Sequence, residues 1–189
     1  MSDDLDPLRR VRPDRLQPDD PPDPVVLAEQ RERLMSAIDQ NVNPDTGRRF
    51  PSIYPRIAYR DEMAAVEFLT RVFGFREWRE SRMENETGTL AWLEVGDGVV
   101  MIGRAGPDHH DLSSPDDIGG ANTCMVNVYV DDVDTHHARA VAEGARIVMD
   151  LEDMFWGDRR YEALDLEGHR WHFGERLSHV RERLGLDDA

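Results

Sequence analysis

Residues 125–132 read Met-Val-Asn-Val-Tyr-Val-Asp-Asp, an alternating strand that runs into a helix predicted over Val133 to Ala142 and stopped at Gly144. The chain says nearly the same thing once before. Tyr54-Pro-Arg-Ile-Ala-Tyr-Arg-Asp61 reads as a strand entering a helix from Glu62 to Val72, stopped at Gly74. The two passages superpose with an offset of about 70 residues, the mark of an internal repeat. The later strands keep that offset. Leu93-Glu-Val-Gly-Asp-Gly98 matches Ala163-Leu-Asp-Leu-Glu-Gly168, each an acidic-glycine turn opening the second strand of a hairpin.

The body from residue 51 to 175 is therefore two copies of one strand-helix-strands unit, about 52–105 and 122–175, joined by the loop Gly106 to Asn122. The fold class is α+β. Residues 1–24 alternate Asp, Pro and Arg with little apolar content and predict a disordered tail. Residues 25–50 predict an appended helix and turn, on the spacing of Val26, Leu27, Leu34 and Ile38 followed by Asn43-Pro-Asp-Thr-Gly47. Residues 176–189 predict a C-terminal helix and tail.

Charge narrows the function classes. With 39 acidic against 23 basic residues the formal net charge is -16, which disfavours nucleic acid as a partner because phosphate binding needs clustered cations. All 23 basic residues are arginine, so lysine Schiff-base chemistry is excluded. No apolar run approaches the length of a membrane span and no signal peptide is evident, which reads as a cytoplasmic protein with no membrane partner. The single cysteine, Cys124, allows no intrachain disulfide and reads as a buried structural thiol.

The two strand-to-acid starts at Arg60-Asp61 and Asp131-Asp132, the two helix-ending glycines, and Trp156-Gly157 followed by Asp165-Leu-Glu-Gly-His-Arg-Trp-His172 together resemble the vicinal oxygen chelate superfamily of glyoxalases, bleomycin resistance proteins and extradiol dioxygenases. The resemblance implies paired βαβββ modules whose mixed sheets curl around a cavity. It also implies metal ligands, where a metal is used, at positions that here carry Tyr54, Ile102, Met125 and His172. Only His172 is an ordinary ligand, so no metal and no other cofactor is expected. The second module most resembles the bleomycin resistance branch, whose members are metal-free dimers that sequester a drug. That implies a homodimer and a small organic molecule as partner.

Strand alternation then sorts the faces. Tyr54, Arg56 and Ala58, then Met125, Asn127 and Tyr129, then Arg170 and His172 are expected on the concave side, with Trp92 and Glu162 facing inward from the third strands. Ile57, Val126, Val128, Val130, Trp171 and Phe173 back onto the helices. Tyr54, Trp92 and Tyr129 read as aromatic walls. Arg56 and Arg170 read either as forks for an anionic ligand or, preferred among so many acids, as partners of Glu162, Glu94 or another carboxylate. His172 reads as a pocket-shaping residue, with a metal-free general base for an isomerase or lyase as the alternative. Trp156 reads either as a stacking residue at the cavity mouth or as a loop anchor.

Overall fold

The computed structural model describes residues 49–186 and, ahead of them, Val25, Ala28, Glu29, Glu32 and Ser36. The chain divides into two units at residues 41 and 42. Of the first unit those five residues are described, all of them helical. The expected tail over 1–24 lies outside the described residues.

The second unit repeats itself in space as it does in sequence. Its first module runs β1 (Arg56–Tyr59), α1 (Glu62–Phe73), β2 (Arg76–Glu77), β3 (Met83–Asn85), β4 (Gly88–Val95) and β5 (Gly98–Arg104). Its second runs β6 (Met125–Tyr129), α2 (Val133–Ala142), β7 (Arg146–Asp153), β8 (Asp158–Leu164) and β9 (Arg170–Arg176), followed by α3 (Leu177–Leu184). The strand orders are β1-β5-β4-β2, with β3 on β4, and β6-β9-β8-β7. In each module the first strand lies parallel to the last, because a helix carries the chain back across the sheet between them.

Both helices begin alike. The Asp61 carboxylate accepts from the Ala64 amide at 2.9 Å and Asp132 from Thr135 at 3.0 Å, satisfying N–H groups that have no partner within the helix. Gly74 ends α1 in the left-handed region at φ 71°, which a glycine adopts without steric cost. Ala65, Val66, Leu69, Val72 and Phe73 form the buried stripe of α1. They meet Ile57, Val128, Tyr161, Trp171 and Phe173 from both sheets in one core, where each large side chain contributes about 1.5–3 kcal/mol.

Polar ties cross between the modules. His136 on α2 is buried, its Nε2 3.0 Å from the Phe73 carbonyl at the end of α1 and its Nδ1 2.6 Å from the Tyr161 hydroxyl. The hairpin between β8 and β9 reaches into the first module. Asp165 accepts from the Tyr59 hydroxyl at 2.5 Å and from the Trp171 indole at 2.9 Å, while Glu167 accepts from the backbone N–H of Arg60 and Asp61. Asp165 and Glu167 thus clasp the two modules together. Burial pushes the Asp165 carboxyl above its ordinary value, against the lowering influence of His169 and its hydrogen-bond donors.

Two expectations need correction. Cys124 is exposed, not buried, because β6 begins only at Met125 and the thiol belongs to the end of the connector. The first strand begins at Arg56 rather than Tyr54, since Pro55 has no N–H to give the ladder and offers only its carbonyl, to Met101.

Candidate functional site

Pairing register fixes which side chains share the concave face of each sheet. In the second module Met125 stands opposite Arg170, Asn127 opposite His172, and Glu162 opposite His172 from the other side. One cross-strand row is therefore Asn127, His172, Glu162, as expected, and Arg160 joins it from two residues before Glu162.

These side chains are linked in one network, in which Arg160 Nε alone of the guanidinium nitrogens is buried without an acceptor. Glu162 pairs with Arg170 through one oxygen and with His172 Nε2 at 2.5 Å through the other. Arg160 donates to His172 Nδ1 and, at 2.9 Å, to the Asn127 carbonyl oxygen. A guanidinium only donates, so Nδ1 must be the acceptor and Nε2 must carry the proton given to Glu162. This is the neutral imidazole. Burial first, then the neighbouring guanidiniums of Arg160 and Arg170, lower the His172 pKa to about 4, in keeping with that tautomer. Arg170 is paired, as the sequence favoured.

Around the network stands an exposed apolar rim. Met125 is 42% exposed, Tyr129 52%, Trp156 49% and Phe155 96%. Phe155 and Trp156 pack edge to face at the turn between β7 and β8, and the Arg160 guanidinium lies 5.9 Å from the Trp156 ring. Asp158 anchors this rim, accepting from Tyr129 at 2.8 Å, from the Trp156 indole at 3.1 Å and from Arg176 at 2.9 Å. Trp156 thus holds a loop anchor and an exposed ring face at once.

The first module fills the equivalent row differently, with Arg56 opposite Met101 and Met101 opposite Trp92. Trp92 is not an open wall. It is 6% exposed, in a cluster with Trp78 and Val99, and Phe50 packs over it with ring centroids 6.3 Å apart. Tyr54 stays at the edge, 37% exposed and 6.0 Å from the Phe50 ring. Arg56 also departs from expectation. No carboxylate or carbonyl of the described residues pairs with it, and its Nε is buried without an acceptor. Glu94, the carboxylate expected nearby, is held instead by Arg76 at 2.7 Å and the Trp78 indole at 2.9 Å.

The register also shifts one assignment. Met101, not Ile102, is the counterpart of His172, because Met101 pairs with Arg56 as His172 pairs with Asn127. Ile102 faces the core and is fully buried. The cause is hairpin length: Val95 pairs with Gly98 across two residues, whereas Leu164 pairs with Arg170 across five. The net extra residue turns every later side chain to the other face. The four positions where this architecture would seat a metal are then Tyr54, Met101, Met125 and His172. That donor set does not fit a divalent ion, since its one imidazole already uses both nitrogens. Among the described residues no group of three His, Cys, Asp or Glu is gathered to hold a metal elsewhere.

Arg160, Asp158, Arg176 and Met101 complete these faces and were not singled out in the sequence. Extending strand alternation back from Glu162 would have found Arg160 and Asp158. A surface groove of about 730 Å³ lies away from this site along α1 and β2. Its cations Arg71, Arg76 and Arg82 are already paired with Glu143, Glu94 and Glu77.

Comparison with known proteins agrees with this architecture. An uncharacterized protein of Mycobacterium bovis is 31% identical over 134 residues, 69% of this chain and 86% of that one. The crystal structure of TioX from Micromonospora sp. ML1 is 39% identical, covers 66% of this chain and 95% of its own, and superposes with a TM-score of 0.50. TnmS3 from Streptomyces sp. CB03234, described as an antibiotic binding protein, is 15% identical, covers 67% and 97%, and has a TM-score of 0.52, a likeness of fold. No helix among the described residues is long and apolar enough to cross a membrane. With residues 54–173 matching its family model, the chain belongs to the Glyoxalase/Bleomycin resistance protein/Dioxygenase superfamily.

Proposed function

We propose that the protein is a metal-free binder of a small organic molecule, which it sequesters between the concave faces of its modules. Tyr54, Arg56, Met125, Asn127, Tyr129 and Trp156 would touch the ligand, Trp92 would form the covered floor, and Glu162, Arg170 and His172 a fixed polar wall. A second copy of the chain would close the open second face in a homodimer. The observation that carries this reading is the pairing of an exposed aromatic and apolar rim with a polar network whose members hold one another. Such a surface recognises apolar bodies with a few placed polar groups. The antibiotic binding protein TnmS3, which shares the fold, supports it.

The alternative, a metal-independent isomerase or lyase with His172 as general base, needs a lone pair that can take a substrate proton. Arg160 occupies that lone pair, and a pKa near 4 makes the imidazole a weak base at neutral pH. A metal-dependent glyoxalase or dioxygenase is disfavoured by the donor set. Affinity-selection mass spectrometry with a bacterial small-molecule extract tests the reading. One organic molecule per site, released chemically unchanged on denaturation, is expected. Catalytic conversion of the selected molecule, lost in His172→Ala, would contradict it.

A further inference from the structure

Arg56 is the place where the concave face is unfinished. It sits on β1, in the row Arg56, Met101, Trp92, and it is partly buried in a chain of net charge -16. The other guanidiniums of these faces have acceptors: Arg170 has Glu162, Arg176 has Asp158, and Arg160, without a carboxylate and with its own Nε buried and unpaired, still donates to Asn127 and His172. Arg56 has none among the described residues, and its Nε lies buried without an acceptor. The Trp92 indole N–H, in the same row, is likewise buried and unpaired.

The guanidinium is nonetheless seated, not loose. A Cβ built on Gly103, the residue opposite Ala58, would come within 2.8 Å of Arg56 Nε, 2.9 Å of its Nη2 and 2.9 Å of Leu90 Cδ2. Gly103 does not have a positive φ, so backbone conformation does not call for glycine there. What glycine supplies is room for the guanidinium to lie against β5. A cation held in place, stripped of part of its water and given no counter-charge, is completed by whatever fills the face.

We infer that the sequestered molecule is an organic anion whose carboxylate or equivalent oxyanion is bound by the Arg56 guanidinium in its seat over Gly103. The inference rests on the small-molecule reading above and specifies the ligand's charge. The neighbouring rings of Tyr54 and Phe50 add that the group adjoining the anion is apolar or aromatic.

A matched pair of probes, 2-naphthoate and 2-naphthamide, tests this by isothermal titration calorimetry of the full chain. The carboxylate should bind more tightly than the amide by about tenfold, as a charge-assisted fork predicts. Arg56→Met should bring the two to equal affinity by weakening only the carboxylate. Arg56→Lys should keep part of the preference, and Gly103→Ala, which displaces the guanidinium, should reduce it with an unchanged circular dichroism spectrum. Equal affinity of the two probes in the wild type, or a preference that survives Arg56→Met, overturns the anion assignment while leaving a small-molecule site standing. Failure of both probes to bind would remove the site itself, and this inference with it.

Discussion

On the second concave face Asn127, His172 and Glu162 share a cross-strand row; Arg170 pairs with Glu162, and Arg160 finds neutral acceptors in Asn127 and His172. On the first face the same row holds Arg56, Met101 and Trp92, and its one charge is unanswered. The repeated backbone therefore carries two different chemistries. A mutually bonded network fixes shape and stabilises the fold, whereas an unanswered, partly buried cation costs stability. Sequence repetition specifies equivalent positions, and the side chains at those positions decide whether a module supplies structure or recognition.

The sharpest way to break this comparison is to remove Glu162. Glu162→Ala leaves the Arg170 guanidinium without its carboxylate and the His172 Nε2–H without its acceptor. We expect urea denaturation to show a loss of about 3 kcal/mol, the low end for a broken buried pair because Arg170 is 39% exposed. A loss below 1 kcal/mol would mean the network is not holding the second face.

Acid should act next most strongly. His136 and His172 both have pKa values lowered to about 4, His136 chiefly by burial and His172 by burial and its two arginine neighbours. The unfolded chain protonates them near 6.5, so it takes up protons before the folded one does as pH falls. The stability they contribute is present above about pH 6.5 and is lost between there and pH 4, on the order of 2 kcal/mol for the more deeply buried His136. Denaturation at pH 7 and 4.5 measures it, and His172→Gln should flatten part of the slope.

Arg56→Met should be the smaller and opposite case. With no partner to lose, the variant is expected to match or exceed wild-type stability, within about 1 kcal/mol, since it replaces an unpaired cation by an apolar side chain. A drop of 2 kcal/mol would show that Arg56 has a structural partner and would erase the contrast between the faces. Trp156→Ala should move stability least, by about 0.5 kcal/mol, while weakening ligand binding several-fold, because half of the ring is exposed at the rim. A large fall in melting temperature would assign Trp156 to anchoring Asp158 alone.

Much of this architecture is legible in the sequence. Helix α2 spans Val133–Ala142 as its spacing predicts, α1 ends one residue beyond the predicted Val72, and Ile57, Val128, Trp171 and Phe173 lie in the core. Local signals carry those features: alternation, apolar periodicity and terminating glycines. Long-range pairing was legible less evenly. The exchange of Ile102 for Met101 came from hairpin loops of two and five residues, whose difference the shorter flanking strands only partly absorb. The loneliness of Arg56 was hidden because 39 acids compete for 23 arginines, and only the fold shows Glu94 already taken by Arg76 and Trp78. Trp92 lies in the concave row, as its match to Glu162 across the repeat suggests, yet nothing local indicates that Phe50 covers it.

The central claim is that the second face is a hydrogen-bonded network centred on the Glu162–Arg170 pair, with both His172 nitrogens engaged, and not a metal centre. Native mass spectrometry of the protein equilibrated with Mn²⁺, Fe²⁺, Ni²⁺ and Zn²⁺ tests it most directly. The account predicts no stoichiometric metal on the chain. One ion per chain, lost in His172→Ala, would contradict it.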